Sequence, residues 1–303
     1  MNFFVKRLKT VKTKKAVRSV FSDIFCYIML IVLGYIVIYP LFYMISGSVK
    51  PMSALLDIRH LWLPRYVSLA AFTKAAEYLD FVPSLMRTLS LQVVSALIEV
   101  FTCSVAAYGF ARFKFRGKSA MTVLLLLSLI IPLPMYSMPL SVNYRVFGIF
   151  NTNWVYWLPA LLGGGVRSGM LIYIYIQFFI GLPKELEDAA YIDGAGPLRT
   201  FLQIALPSSG VVIVTVSVLS LVWHWNESFL SSLCFLNKTR PLSVMMENIE
   251  VYLHFEGLYI GVNPIASSYV FAACIMFVAI PLIVYLFLQR KFVKSIDRVG
   301  ITG

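Results

Sequence analysis

Six stretches of roughly twenty residues each, nearly free of charge, decide what this chain can fold into. They fall at 24–46, 88–111, 119–140, 154–179, 208–226 and 267–288. At about 1.5 Å per residue, such a run covers the roughly 30 Å of hydrocarbon in a bilayer. Within lipid every backbone N–H and C=O must be satisfied internally, and an unbroken apolar run of this length does that as a helix. Composition agrees: 59% of residues are hydrophobic, 13% are charged and mean hydropathy is +0.81. Soluble domains carry about 25% charge. The expected fold is an all-α polytopic membrane protein with six transmembrane helices. The spans lie within 24–290, between a basic tail at 1–23 and a second tail at 291–303.

Charge sets the orientation. Lys6, Arg7, Lys9, Lys12, Lys14, Lys15 and Arg18 precede the first acid, Asp23, and no charge follows from Ile24 to Val49. A basic start before an apolar run imitates a secretory signal, but the run is too long and no A-x-A site follows, so a retained first span is expected. Seventeen of the 26 Lys and Arg residues fall in the two tails, with Arg290 at the edge of the second, and in the loops at 112–118 and 181–207. Eight fall in the other three loops, and Arg167 lies inside a span. The positive-inside rule then puts both termini and the 181–207 loop in the cytoplasm. The long segments 50–87 and 228–265 are expected outside.

Several functions drop out at this stage. A net charge of +12 raises nucleic acid as a partner, but the basic residues sit at the ends of apolar runs rather than in one stripe. No nucleic-acid partner is expected; lipid is. Gly117-Lys118-Ser119 imitates the end of a phosphate-binding loop, yet the glycine required five residues earlier is Arg112 and no strand precedes it. The chain is therefore not expected to hydrolyse ATP itself. Cys26, Cys103, Cys234 and Cys274 sit singly in apolar surroundings, and His60, His224 and His254 are scattered. Neither a metal site nor a catalytic constellation is expected.

The long polar stretch between two strong apolar runs is Pro183–Pro207, PKELEDAAYIDGAGPLRTFLQIALP. Pro183 suits the first position of a helix. Glu185, Glu187 and Asp188 crowd the first turn, where negative charge complements the helix dipole. Ala189 and Ala190 favour helix with little bulk, so another surface can come close. Asp193-Gly194 interrupts, Pro197 opens a second short helix, and Leu198, Phe201, Leu202 and Leu206 give it an apolar face. A short acidic helix of this kind between two spans is a docking element rather than a solvated loop.

The spacing Asp188-Ala189-Ala190, then Gly194, then Ile204-Ala205-Leu206-Pro207 resembles the signature of permease subunits of bacterial ABC importers. Pro183, Glu185-Leu186, Asp193-Gly194-Ala195 and Phe201 extend the likeness to the carbohydrate branch, in particular the maltose-type second permease. Asp188 stands where the signature has Glu. The resemblance covers residues from about Phe25 onward. It implies a type I ABC importer permease fold in a bacterial cytoplasmic (inner) membrane. It also implies ATP-driven import of a sugar by alternating access. The implied partners are a second permease subunit in a heterodimer, two ATPase subunits that bind the ATP and magnesium, and an extracytoplasmic sugar-binding protein contacting 228–265. No cofactor is implied on this chain. By the same resemblance Glu185, Asp188, Ala189, Ala190, Asp193, Gly194, Ile204, Leu206 and Pro207 couple to the ATPase, with Asp188 opposite a basic residue and Gly194 at the bend. Gly300-Ile301-Thr302-Gly303 resembles the glycine-rich tail that reaches the ATPase interface, with Thr302 in place of the usual basic residue. The alternative class, a secondary transporter driven by an ion gradient, would show an inverted repeat and paired broken helices. The sequence displays neither.

Glu99 and Arg167 are the charges at membrane depth. Each costs a few kcal/mol there, so each should face the bundle interior or a wet cavity. Two readings stay open: a substrate pathway with Trp225 and Asn226, in which Arg167 favours an acidic sugar, or a structural Glu99–Arg167 pair, with Arg167 alternatively snorkelling outward. Trp154, Trp157, Trp223 and Trp225 suit an interfacial aromatic belt or stacking on sugar rings.

Overall fold

The computed structural model describes residues 2–51, 55, 64, 66–236, 240–261 and 263–299, and among these every regular element is helical. The Gly300–Gly303 tail lies outside the described residues.

In chain order the helices are α1 (Asn2–Ser48), α2 (Ala70–Tyr78), α3 (Phe81–Thr88) and α4 (Val94–Arg112). They continue as α5 (Lys118–Ser128), α6 (Leu133–Val146), α7 (Trp154–Leu161) and α8 (Ser168–Gly181). Next come α9 (Glu185–Ile192), α10 (Pro197–Thr200), α11 (Leu206–Ser208) and α12 (Gly210–Trp225). The chain finishes through α13 (Phe229–Cys234), α14 (Leu242–Glu247), α15 (Ile249–Phe255) and α16 (Pro264–Val299). A π-helical turn, Leu89–Val93, fuses α3 to α4, and a second, Phe201–Ala205, joins α10 to α11.

Among the described residues three helices are long and apolar enough to cross a membrane: Asp23–Ser48, Phe81–Arg112 and Pro264–Phe287. Two bent pairs raise this to five. The expected third span is one of them: α5 and α6 meet at 106° across a break that ends in Pro132, which is extended at ψ 141°. Pro132 caps α6 and Pro134 sits in its first turn, so the stretch forms two helices rather than one span. The fourth stretch, 154–179, is broken more deeply. Leu162–Arg167 leaves the helix, with Gly163 at φ 71° and Arg167 at φ 57°, and divides the stretch into the eight residues of Trp154–Leu161 and the fourteen of Ser168–Gly181. The segment expected at 228–265 contains α13, α14 and α15.

The chain divides into two compact units, each described on its own residues. One comprises Met1–Phe72 with Ile260–Ala272. Within it Ser268 Oγ donates to the Gly47 carbonyl at 2.9 Å, and Phe271 lies edge-on to Tyr43. A Cβ on Gly47 would come within 2.6 Å of the Phe271 ring, so a side chain there would force the ring to shift. The apolar side chains of 24–45 face outward, as lipid-facing residues must.

The other unit comprises Thr73–Tyr259 with Ala273–Gly303. Its main core stacks α4 on α8 and α12. Cys103 and Ala107 are small enough for α8 to approach α4 closely, and Leu171, Ile172, Tyr175, Ile176 and Phe179 fill the seam with Val212 and Val216. Hydroxyls within these apolar helices are satisfied locally: Ser95 Oγ donates to Leu91 O at 2.6 Å and Ser104 Oγ to Phe101 O at 2.7 Å. Thr102 Oγ1 reaches across to the Ala160 carbonyl at 2.7 Å, tying α4 to α7.

Candidate functional site

The acidic helix forms largely as its residues dictate. α9 opens with Glu185, Glu187 and Asp188 in its first turn. Pro183 does not occupy its first position: the helix begins two residues later, after Lys184, and the Leu182 carbonyl accepts from Arg112 Nη2 at 2.7 Å. Gly194 closes α9 at φ 80°, a left-handed value that a side chain resists, while Ala195 N–H bonds the Ala190 carbonyl at 2.9 Å. Pro197 then starts α10, as its fixed φ favours.

α9 has two faces. Glu187 and Ala190 are buried, while Glu185, Leu186, Asp188, Ala189, Tyr191, Ile192 and Asp193 are exposed. The outward face is apolar as well as acidic: Ile192 is 85% and Leu198 69% exposed, with Leu186 and Leu202 beside them. Of the remaining residues expected from sequence to couple, Ile204 and Leu206 are half-buried and Pro207 is exposed. Beneath the loop, Phe201 is held in a cluster with Tyr108 and Phe179, at ring distances of 5.1 and 6.4 Å.

Glu187, read from sequence as one of three first-turn acids, does something different from its neighbours. Its Oε1 accepts from Arg112 Nε at 2.8 Å and its Oε2 from the Tyr108 hydroxyl at 3.3 Å. Both side chains of the ion pair are nearly solvent-free, at 7% and 5% exposure. Burying such a pair is costly unless its remaining polar groups are satisfied, and here Leu182 O and Tyr108 supply the missing bonds.

The two charges at membrane depth are not paired with each other. Glu99 is fully buried; it accepts from Ser168 Oγ and from Ser220 Oγ, the latter at 2.8 Å, and its Oε2 lies 3.5 Å from His224 Nδ1. His224 Nδ1 is also 3.0 Å from the Ser220 carbonyl, which places its proton on that nitrogen. This knot ties α4 to α8 and α12. Gly165 makes room for it: a Cβ there would stand 2.6 Å from Glu99 Oε1. Arg167 is turned elsewhere. Its left-handed backbone sends the guanidinium over the Trp223 ring, 5.2 Å from the centroid, while the next residue, Ser168, points to Glu99. Among the described residues no carboxylate lies within ion-pairing distance of Arg167.

Arg167 opens into a cleft of about 550 Å³, lined also by Tyr136, Met170, Trp223, Asn226 and Glu227. This is the size of a small-molecule site, with an aromatic wall and a single free cation. Asn226 also lines this cleft. Trp225 does not: it is 2% exposed and packs against Phe277 at 5.7 Å, because the helix turns it to the opposite side from Trp223. Trp157 is likewise engaged, donating to the Ser90 carbonyl at 3.2 Å. A second polar knot beside the cleft escaped sequence reading altogether. Glu227 accepts from the Tyr156 hydroxyl, from Ser231 Oγ at 3.1 Å and from the Leu230 N–H at 2.7 Å, and Gln92 Nε2 reaches Ser231 at 3.2 Å.

Apolar helices with a broken-helix cleft and a short acidic helix between two of them suit a membrane component of a transport system. The chain belongs to the family of inner-membrane components of binding-protein-dependent transport systems, whose model matches residues 100–298. It is 29% identical to the galactooligosaccharides transport system permease protein GanQ of Bacillus subtilis, over 98% of this chain and all of that one. It is 25% identical to the arabinooligosaccharides transport system permease protein AraQ of Halalkalibacterium halodurans, covering 89% of this chain and 93% of that one. The polygalacturonan/rhamnogalacturonan transport system permease protein YtcP of Bacillus subtilis is 24% identical, over 90% of this chain and 95% of its own. In the crystal structure of a bacterial ABC transporter involved in the import of the acidic polysaccharide alginate, one chain superposes with a TM-score of 0.73 at 21% identity. That match covers 89% of this chain and 95% of the other, and the fold is the type I ABC importer permease fold.

Proposed function

We propose that this chain is one of two permease subunits of an ATP-driven oligosaccharide importer, and that it lies in the maltose-type branch on the pattern of 183–207. The two-faced α9 carries this reading. Its inner face is bonded to its own bundle, while Leu186, Asp188, Ala189 and Ile192 present an acidic, apolar, small-residue surface that is exposed among the described residues. Such a surface suits a cleft on a separate ATPase that binds the ATP and magnesium; this chain holds no cofactor of its own. Gly194 sets the angle at which α10 leaves. The six apolar stretches cross the bacterial inner membrane with both termini in the cytoplasm: α5 with α6 counts as one crossing, the broken fourth stretch as another, and α12 crosses without the Pro197–Ser208 arm, which is bent 80° from it. A sugar-loaded binding protein delivers to the outer segments around 228–265, and alternating access passes the sugar between the permeases.

The cleft narrows the substrate class. The free Arg167 guanidinium over Trp223 offers a carboxylate donor beside an aromatic platform for a sugar ring, the pairing an acidic oligosaccharide requires. The names of YtcP and of the alginate importer show that acidic polysaccharides are carried within this fold. The test is co-purification from the native membrane: an ATPase and a second permease should be retained with the full chain, and Asp188→Lys should release the ATPase without loss of the chain from the membrane. Full retention with Asp188→Lys would contradict the docking role.

A further inference from the structure

Adjacent acids on α9 face opposite ways, and the inward one leads into the bundle. Glu187 is held by Arg112 and Tyr108, both on the last turns of α4, and Arg112 also binds the Leu182 carbonyl just after α8. Tyr108 packs against Phe179 at 5.5 Å and Phe201 at 5.1 Å, so α8 and the π-helical turn after α10 share the same node. Thirteen residues up α4, about 20 Å along its axis, Glu99 fastens that helix to Ser168 on α8 and to Ser220 on α12. Helix α4 thus has one polar clasp at the docking loop and another at membrane depth. Between them the seam with α8 is lined by Cys103 and Ala107, both without exposure.

We infer that Arg112 and Glu187 form a positioning pair that makes α9 and α4 move as one body. Displacement of the docking helix is thereby passed along α4 to the Glu99 knot. The inference rests on the coupling role of α9 proposed above, but assigns the two neighbouring acids separate tasks: Asp188 faces the ATPase and Glu187 faces the chain's own span. The physical basis is the near-complete burial of the pair, at 7% and 5% exposure. A charge that loses its only counter-ion in such a place does not stay put, so the loop would detach from α4. An exposed ion pair at this position would transmit little, because solvent screening leaves it weak.

The experiment uses the complete transporter in proteoliposomes, with Leu97 on the exposed side of α4 replaced by cysteine as a reporter. Labelling rates are compared without nucleotide and after trapping with ATP and vanadate. In Glu187→Gln and Arg112→Gln the ATPase should remain bound, while the nucleotide-dependent change in labelling falls about tenfold or more. The double variant Arg112→Glu with Glu187→Arg should recover most of that change, which a merely structural role for either residue would not produce. An undiminished change in both single variants would overturn the inference. So would release of the ATPase by Glu187→Gln, since the residue would then act in docking itself. Failure of the double variant to recover, including failure to assemble, would also overturn it. If the parent protein retains no ATPase, the coupling reading falls, and this inference with it.

Discussion

At the scale of single residues, Glu99 and Arg167 show what a sequence can and cannot say about buried charge. Both were recognisable because each interrupts an apolar run at real energetic cost. Their partners were not, because these depend on how α4, α8 and α12 pack. Ser168, Ser220 and His224 look unremarkable in sequence, yet together they satisfy Glu99. A sign of this was present: Ser220 and His224 are four apart, on one helix face, in an otherwise apolar run. Glu99→Ala should leave two buried hydroxyls without their acceptor, each costing about 1–3 kcal/mol, whereas Glu99→Gln keeps an acceptor and should be much milder. Thermal unfolding in detergent separates the two. Gly165→Ala should cost about 1–3 kcal/mol by pressing a methyl against Glu99 Oε1, read in the same assay. Exchanging the charges of Glu99 and Arg167 should rescue nothing, since the two do not meet.

Arg167 itself is held at φ 57°, a strained value for a residue with a side chain, of the kind that persists where surrounding structure enforces it. Its contact with Trp223 is worth only about 0.5–1 kcal/mol at an exposed site, too little to be the reason for the strain. Arg167→Gln should therefore leave assembly and thermal stability almost unchanged while lowering uptake of an acidic oligosaccharide about tenfold or more, as loss of a charged bidentate donor does. Radiolabelled uptake in whole cells measures this. Unchanged uptake of acidic substrates would remove Arg167 from the pathway.

Among elements, the 183–207 loop was the most legible. Its helix, bend and second helix follow from local rules: acids in a first turn, a glycine at a left-handed C-terminus and a proline at a helix start. What the sequence did not separate was inside from outside on α9. The arithmetic of helix position puts Glu187 and Ala190 on one face, but only the presence of Arg112 and Tyr108 makes that face the inner one. The long apolar runs were read less accurately. Apolar content marks a run as lipid-compatible without revealing where proline and glycine break it. The 106° bend between α5 and α6 and the loss of helix at Leu162–Arg167 are tertiary solutions, in which a helix gives up length to line a cleft. At this scale Ala189→Trp is informative. It adds bulk to an exposed position, so it should leave folding intact while blocking close approach of the ATPase. Loss of ATPase retention with unchanged thermal stability is the expected pair of results.

For the molecule as a whole, α9 is the proposed contact between a membrane bundle and a cytoplasmic motor. Ile192 is the best reporter, being 85% exposed at the end of α9 and outside every ion pair and cluster described here. In a transporter with the native cysteines replaced, Ile192→Cys is treated with a membrane-impermeant maleimide in right-side-out and inside-out vesicles, before and after the ATPase is stripped. Labelling is predicted only in inside-out vesicles, and strongly only after stripping. Labelling in right-side-out vesicles, or equal labelling with and without the ATPase, would contradict the account.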